Sequence, residues 1–401
     1  MAKIFEGIKV LDFTNNLAGP NTTAMLADFG AEVIKVERPV FGDDFRSISP
    51  QIEGQAVFSF WSLRGKKSIV IDLKDPEGTA ILKKILPDID IVVESYVPGR
   101  MKKYGLDYES VSAINPKIIY ASISVGGQTG GYSSKPGYDL IAQAKTGHMD
   151  LTGDPKGPPT RLSVPIADYV GSYNAFGSIV SALFYRERTG EGQWIDISLI
   201  DGMAAMNSTF EGAANVHTHP TRSGLHYKEF CPYGTFLGRD GQSCVIAAFN
   251  RRGWNSLCKV IGRPELMDDP RTKDNVARVK NLSFVLDAVE SWLKSFDDID
   301  DAIELMEASN IACSKIKSTD ELIEDTILWE RGTLIEAETP PSIKGQRTYK
   351  CRGPWIKMSK TPPVHRRAPD LGEHNYEILT QYGLTKEEID TLEAKWAVDA
   401  K

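Results

Sequence analysis

The sequence predicts an α/β protein, in which a Rossmann-like parallel sheet forms a large domain and a smaller α+β domain is attached to it. Three observations carry this reading. Over the first 130 residues, short β-branched runs alternate with helix-like segments. A polar, His-containing stretch from Asn215 to Lys228 interrupts that rhythm. A chain of 401 residues, 41% hydrophobic and 25% charged, also has material for roughly two domains.

The elements follow in order. Lys9 to Phe13 reads as a strand, Pro20 to Phe29 as a helix closed by Gly30, and Glu32 to Glu37 as a second strand. Ser68 to Asp72 is a third strand, and Asp75 with Pro76 opens the next helix. Strands near Asp90 to Glu94 and over Lys117 to Val125 continue a βαβ pattern. Ala167 to Arg188 is a long helix with two apolar stripes, Tyr173, Phe176, Val180 and Leu183 on one and Gly171, Ala175, Ser178 and Ala182 on the other. It is therefore expected to be buried on most sides. A strand from Gln193 to Leu199 and a helical stretch to about Phe210 precede the crossing. The small domain then holds strands at Gly234 to Leu237 and Ser243 to Phe249 and a helix near Trp254 to Gly262. A further helix carries Leu282, Val285, Val289 and Trp292 as core, Ile299, Ile303 and Met306 repeat the pattern, and a short strand runs from Ile311 to Ile316. After a Pro-containing return at Thr339 to Ser342, the tail from Ala368 ends in two short helices. The large domain is thus placed at 1–215 with 330–401, and the small one at 216–329.

Composition excludes several classes of function. The five cysteines are scattered and form no C-x-x-C pair, which argues against a disulfide framework or a thiolate metal site. His217 and His219 are two apart with no third ligand at a suitable spacing, so no metal site is predicted. Residues 297–338 carry thirteen acidic against three basic side chains, so the rest of a chain of net charge −7 is slightly positive. No dense basic stripe points to nucleic acid, yet a local phosphate-binding cluster has room. No run reaches the roughly 18 to 20 apolar residues of a membrane helix, and the start lacks a basic region followed by an apolar core, so a cytoplasmic location is expected by default. Gly126, Gly127, Gly130 and Gly131 follow a strand without the dinucleotide-binding spacing, which leaves a hydride-transferring dehydrogenase unsupported.

The most informative segments are Gly137-Tyr138-Asp139-Leu140-Ile141-Ala142-Gln143-Ala144 and Val164-Pro165-Ile166-Ala167-Asp168-Tyr169. With Gly7 to Phe13, the Ala18-Gly19-Pro20 turn, Gly30 to Glu37, Lys67 to Lys74, Arg186 to Gln193 and Leu371 to His374, they resemble the class III CoA-transferase family, of CaiB/BaiF and formyl-CoA transferase type. The similarity runs nearly end to end.

This resemblance implies a mechanism in which Asp168 attacks the thioester carbonyl of an acyl-CoA, passing through an aspartyl anhydride and an aspartyl-CoA thioester. Asp168 also falls at the start of the long helix, where free N–H groups and the helix dipole favour an ionised carboxylate; the competing reading of that place is a simple N-cap. Asp139 takes an accessory catalytic role by the same resemblance. CoA contacts are implied for Leu17, Ala18, Arg38, Ile71, Asp72, Leu73, Lys74, Ser95, Tyr96, Val97, Lys103, Gly137 and Tyr138. Arg38, Lys74 and Lys103 would meet the phosphate charges of the nucleotide. CoA and acyl-CoA are expected as substrates, with no tightly bound cofactor.

The nearest alternative is an α-methylacyl-CoA racemase of the same fold, which uses a His and an Asp as opposed bases. Its histidine belongs where this chain has Tyr138, and tyrosine is a poor base near neutrality. A binding protein without catalysis is the third reading, and it predicts tolerance of Asp168→Ala. Leu17 replaces the glutamine of oxalate-specific members, and the chain after Phe236 lacks their glycine-rich lid. The acceptor is therefore expected to be bulkier than oxalate, with the small domain around Phe249 to Trp254 closing over it. The family's interlocked homodimer is the implied assembly.

Overall fold

Six parallel strands form one sheet in the computed structural model, which describes residues 3–399. In chain order the elements are β1 (Lys9–Phe13), α1 (Ala18–Asp28), β2 (Glu32–Glu37), β3 (Lys67–Val70), α2 (Pro76–Ile85), β4 (Ile91–Glu94), β5 (Ile119–Ser124), α3 (Asp139–Lys145), α4 (Ile166–Thr189), β6 (Gln193–Ser198) and α5 (Leu199–Ala205). The strand order is β3-β2-β1-β4-β5-β6, and Val10 stands in register with Val33 on one side and Ile91 on the other. Strand order reverses between β1 and β4, which makes the carboxyl ends of those two strands the topological switch point.

Alternation along the strands explains the layering. Val10, Val33, Ile91 and Val93 point to a core shared with α1, α4 and α5. Leu11, Ile34, Ile69 and Val92 point to the opposite core, closed by α2 and by the tail helices Asn375–Gln381 and Lys386–Asp399 through Ile378, Leu379, Ile389 and Trp396. A parallel sheet covered on both faces requires such near-continuous apolar strands. Local signals set the helix ends: Asp75 accepts the Glu77 N–H at 3.0 Å with Pro76 at the first helical position, and Gly190 stops α4 in the left-handed region at φ 78°.

The chain divides into two compact units. One comprises Met1–Gly147, Leu162–Ser208 and Thr326–Lys401, and the other His148–Arg161 with Thr209–Asp325. The smaller unit is α+β: strands Tyr233–Leu237, Ser243–Ala247 and Ala312–Lys315 form an antiparallel sheet, with the middle strand central, over a core that includes Trp254, Val285, Val289 and Met306. Leu282 and Trp292 pack at the margin of that core and are only partly buried.

Three expectations are corrected. Helix α4 packs through Gly171, Ala175, Ile179 and Ala182, whereas Tyr173, Asn174, Gly177, Ser181, Phe184 and Tyr185 form an exposed face. The reason is that α1 and α5 cover only its small-residue side; a Cβ on Gly171 would collide with Leu199. Second, Asn215 and Val216, expected in an irregular stretch, instead close a helix that spans Phe210–Val216. Third, Leu334–Glu338 and Thr348–Arg352 pair as an antiparallel hairpin around the expected return. Only Ala337 and Tyr349 of this hairpin are fully buried, too short an apolar alternation to read as strands. Among the described residues no helix is long and apolar enough to cross a membrane, and no group of His, Cys, Asp and Glu is placed to hold a metal ion.

Candidate active site

A pocket of about 340 Å³ opens at the carboxyl ends of β1, β2, β3 and β4. Thr14 and Asn15 line it from the turn after β1, Arg38, Phe41 and Asp43 from the loop after β2, Ile71 to Lys74 from the segment after β3, and Tyr96, Arg100 and Tyr104 from the segment after β4. Across the switch point, the Asn15 N–H donates to Ser95 Oγ at 2.9 Å, which ties the first and fourth strand turns together. Arg38 pairs with Asp44, and its guanidinium lies 5.6 Å from the Phe41 ring centre. Several cations therefore flank this opening, as a polyanionic ligand requires.

Buried charges support its floor. Lys35 on β2 stands in register with Asp12 on β1, with Nζ 3.6 Å from Asp12 Oδ1 and 3.1 Å from Asp43 Oδ2. Lys66 Nζ reaches Asp12 Oδ2 at 2.9 Å, and Thr23 Oγ1 donates to the same oxygen at 2.6 Å. Burial works against charge here, but Lys35 and Lys66 overcome it and hold the Asp12 carboxyl far below the usual carboxylate range. Glu37, also buried, accepts two hydrogen bonds from Arg46, at 2.8 and 2.7 Å, and one from Ser68 Oγ at 2.6 Å.

Asp168 is the third residue of α4, within its first turn, and the N-cap position of the helix is held by Pro165. The capping contact comes from the neighbouring helix: Asp139 Oδ1 accepts the Ala167 N–H at 2.7 Å. Buried Gln143 fixes that carboxylate, donating from Nε2 to Asp139 Oδ2 at 2.6 Å while its Oε1 accepts the Leu162 N–H at 2.9 Å. The Asp168 carboxylate itself forms no hydrogen bond among the described residues. Burial, and then the charge of Asp139, push its pKa up to about 7. The sequence-based expectation is that the helix start favours the ionised carboxylate, whereas burial and a like charge favour its protonated form here. One turn on, the Ser172 hydroxyl lies 2.7 Å from Ala18 O and 2.9 Å from Asp168 O. Residues four apart share a helix face, so Asp168 stands over the Leu17–Ala18 turn that leads from the pocket into α1.

On the next face, Tyr169 Oη accepts a 2.6 Å hydrogen bond from Arg352 Nη1. The Arg352 guanidinium also lies 3.6 Å from the Trp61 ring centre, 5.6 Å from Phe58 and 5.9 Å from Tyr169. Phe58 in turn meets Phe45 edge-on at 4.9 Å, two residues past Asp43 of the pocket wall.

The pocket gathers Arg38, Ile71, Asp72, Leu73, Lys74 and Tyr96 of the residues assigned to CoA. Ser95 lies behind it, and Leu17 and Ala18 are buried in the turn below Asp168. Val97 and Tyr138 are exposed, Tyr138 to 73%, and neither lines the pocket; Gly137 stands against Val125 and Ile141 at the start of α3. Lys103 is also exposed and away from the pocket, because the helical turn Arg100–Lys103 presents Arg100 to it instead. Trp254 is taken up by the small unit's core, where its Nε1 donates to Leu266 O at 3.3 Å. Sequence reasoning gave no role to Asn15, Phe41, Arg100, Gln143 or Arg352. Asn15 and Gln143 sit inside or beside segments it singled out, whereas Arg352 carries no local signal.

The doubly wound sheet, the cation-flanked pocket at its switch point and, at the start of α4, a carboxylate raised to about 7 define an α/β enzyme for a large anionic substrate. The chain belongs to CoA-transferase family III, whose pattern matches residues 5–375. It is 36% identical over 396 residues to a succinate–glutarate CoA-transferase of Agrobacterium fabrum, covering 94% of this chain and 95% of that one. It is 34% identical over 397 residues to a succinyl-CoA–D-citramalate CoA-transferase of Chloroflexus aurantiacus, covering 97% of each. A crystal structure of a CaiB/BaiF family protein from Brucella suis superimposes with a TM-score of 0.84 at 32% identity, covering 95% of this chain and all of that one. The protein is accordingly a CoA-transferase, and neither named relative is a racemase.

Proposed function

We propose that Asp168 is the covalent nucleophile of this CoA-transferase and that CoA and acyl-CoA are its substrates, bound at the switch-point pocket without a resident cofactor. The observation that carries the proposal is the division of labour between two carboxylates: Asp139 caps α4, and Asp168, relieved of that task, keeps oxygens without a hydrogen-bond partner among the described residues.

The steps balance as follows. A carboxylate oxygen of Asp168 attacks the acyl-CoA carbonyl, the C–S bond breaks, and CoA thiolate leaves an acyl-aspartyl anhydride. The thiolate attacks the aspartyl carbonyl, expels the donor acid as its carboxylate, and leaves an aspartyl-CoA thioester. The acceptor carboxylate attacks that thioester, giving a second anhydride and free thiolate. Attack of the thiolate on the acceptor's acyl carbon forms the new acyl-CoA and restores Asp168. A carboxylate of pKa about 7 suits this role, because it is ionised in useful amount near neutrality and more basic than an ordinary aspartate.

Arg38, Lys74 and Arg100 would meet the nucleotide phosphates, Leu17, Ala18 and Gly137 would border the reacting thioester, and Asp139 would position α4. The exposed face of α4 fits a homodimer, and a cytoplasmic protein fits the scattered free cysteines. The decisive experiment incubates the protein with succinyl-CoA and hydroxylamine and maps the modified peptide by mass spectrometry. Hydroxamate formation at Asp168 is the expected result, and modification elsewhere, or none, overturns the assignment. Exchange of a substrate α-proton without CoA transfer would restore the racemase.

A further inference from the structure

Two arginines lie against the Trp61 ring, and they differ in one respect. Arg64, 4.6 Å from the ring centre, is buried and answered by Asp28, which accepts from Nη2 at 2.7 Å and from Nε at 3.1 Å. Arg352, 3.6 Å from the same ring centre, is partly exposed and pairs with no carboxylate among the described residues. Its one hydrogen bond among them goes to the Tyr169 hydroxyl. A guanidinium has five N–H donors in a planar fork, so most of its capacity is unused. Acceptors are short in its surroundings altogether: the indole N–H of Trp61, itself buried, also lacks a partner among the described residues.

A cation in that state, walled by Phe58, Trp61 and Tyr169, is poorly hydrated and matched to a planar anion. Its place matters because Tyr169 directly follows Asp168. The reaction must bring a carboxylate up to Asp168, which already feels the charge of Asp139. A second carboxylate on the same molecule would add to that repulsion unless a cation received it.

We infer that Arg352, oriented by Tyr169, binds the non-reacting carboxylate of a short-chain dicarboxylic acid, so that the acceptor, and equally an acyl donor that keeps a free carboxylate, is a dicarboxylate. The inference rests on the Asp168 mechanism above. In a double displacement the donor acid and the acceptor occupy this place in turn, and one arginine serves both. No bond is made or broken there: Arg352 supplies a bidentate ion pair that selects and orients.

The test compares glutarate with valerate, acids of equal chain length that differ in the distal carboxylate, and succinyl-CoA with acetyl-CoA as donors. Wild-type protein is expected to favour glutarate by at least about 50-fold in kcat/KM, as a lost charge-assisted pair requires. Arg352→Met should abolish most of that preference while changing valerate turnover less than about threefold, and Arg352→Lys should fall between, since it keeps charge but not the fork. Tyr169→Phe removes only the orienting hydrogen bond and should raise KM for glutarate about three- to tenfold with kcat little changed. It decides the matter should Arg352→Met fail to fold. Equal losses with both acids, or a wild-type protein indifferent to the distal carboxylate, overturn the inference. Hydroxylamine capture at Asp168 with succinyl-CoA separates the two readings: its absence in wild type refutes the mechanism, whereas its persistence with an acid preference independent of Arg352 refutes only the role of Arg352.

Discussion

Asp139 Oδ1 accepts the Ala167 N–H at 2.7 Å, and so one carboxylate caps the helix whose third residue is another, Asp168. The same arrangement places a negative charge close enough to raise the Asp168 pKa, to about 7 together with burial. Asp139 thus orders the site and tunes it, through one contact and one field.

Asp139→Asn should separate these effects. Removing the like charge lowers the pKa of Asp168, and since burial is the larger cause, the midpoint of the pH–rate profile should fall by about one pH unit, not to the ordinary carboxylate value. Activity at pH 8 should also drop, by about tenfold, because an asparagine has one acceptor oxygen and cannot receive both the Gln143 Nε2–H and the Ala167 N–H, so the start of α4 loosens. A kcat/KM profile in wild type and variant measures both; an unmoved midpoint would show that Asp139 does not act on Asp168.

Wild-type kcat/KM for acyl-CoA should climb tenfold per pH unit below about 7 and level off above it, since the nucleophile is the ionised form. Stability should run the other way. Between about pH 4 and 7 the folded protein keeps a proton on Asp168 that the unfolded chain has lost, so folding weakens as pH rises through that window. Asp168→Asn should therefore be inactive yet more stable than wild type at pH 8, by up to about 4 kcal/mol, with the gain vanishing near pH 4. Thermal or urea unfolding at the two pH values reads this directly.

The pocket's cations should act on binding and not on chemistry. Removing the charge of Lys74 or Arg100 is expected to raise KM for acyl-CoA about three- to tenfold and to weaken its salt dependence, with kcat nearly unchanged. Lys103→Ala, which alters a side chain away from the pocket, should have a smaller effect. Steady-state kinetics at two ionic strengths compare them.

Lys35→Met should destabilise the protein by about 3–5 kcal/mol, because it leaves Asp12 and Asp43 buried with one cation fewer. Denaturant unfolding checks this. A loss below about 1 kcal/mol would mean that Lys66 alone satisfies the site.

The sheet was legible in the sequence because each strand states its own case. A run such as Glu32 to Glu37 is rich in β-branched residues, short and bounded, and an Asp-Pro pair or a terminal glycine marks where helices begin and end. The segments around Asp139 and Asp168 were legible as motifs for the same reason, since their residues are contiguous. Chain order also placed several of the segments expected to meet CoA after successive strands, where the pocket opens.

What local pattern does not contain is which side chain a turn presents and which charges meet across it. One helical turn displays Arg100 to the pocket and turns Lys103 to solvent. The face of α4 left open depends on what α1 and α5 cover. Sequence by itself determined a parallel α/β frame and an aspartate in a recognisable setting. Only the tertiary structure decided that Asp139 would take the helix cap and free Asp168, and that Arg352, 183 residues further along the chain than Tyr169, would come to rest on that ring with no carboxylate among the described residues to answer it. Desolvation and Coulomb interaction depend on distance in space, and a chain fixes such distances only by folding.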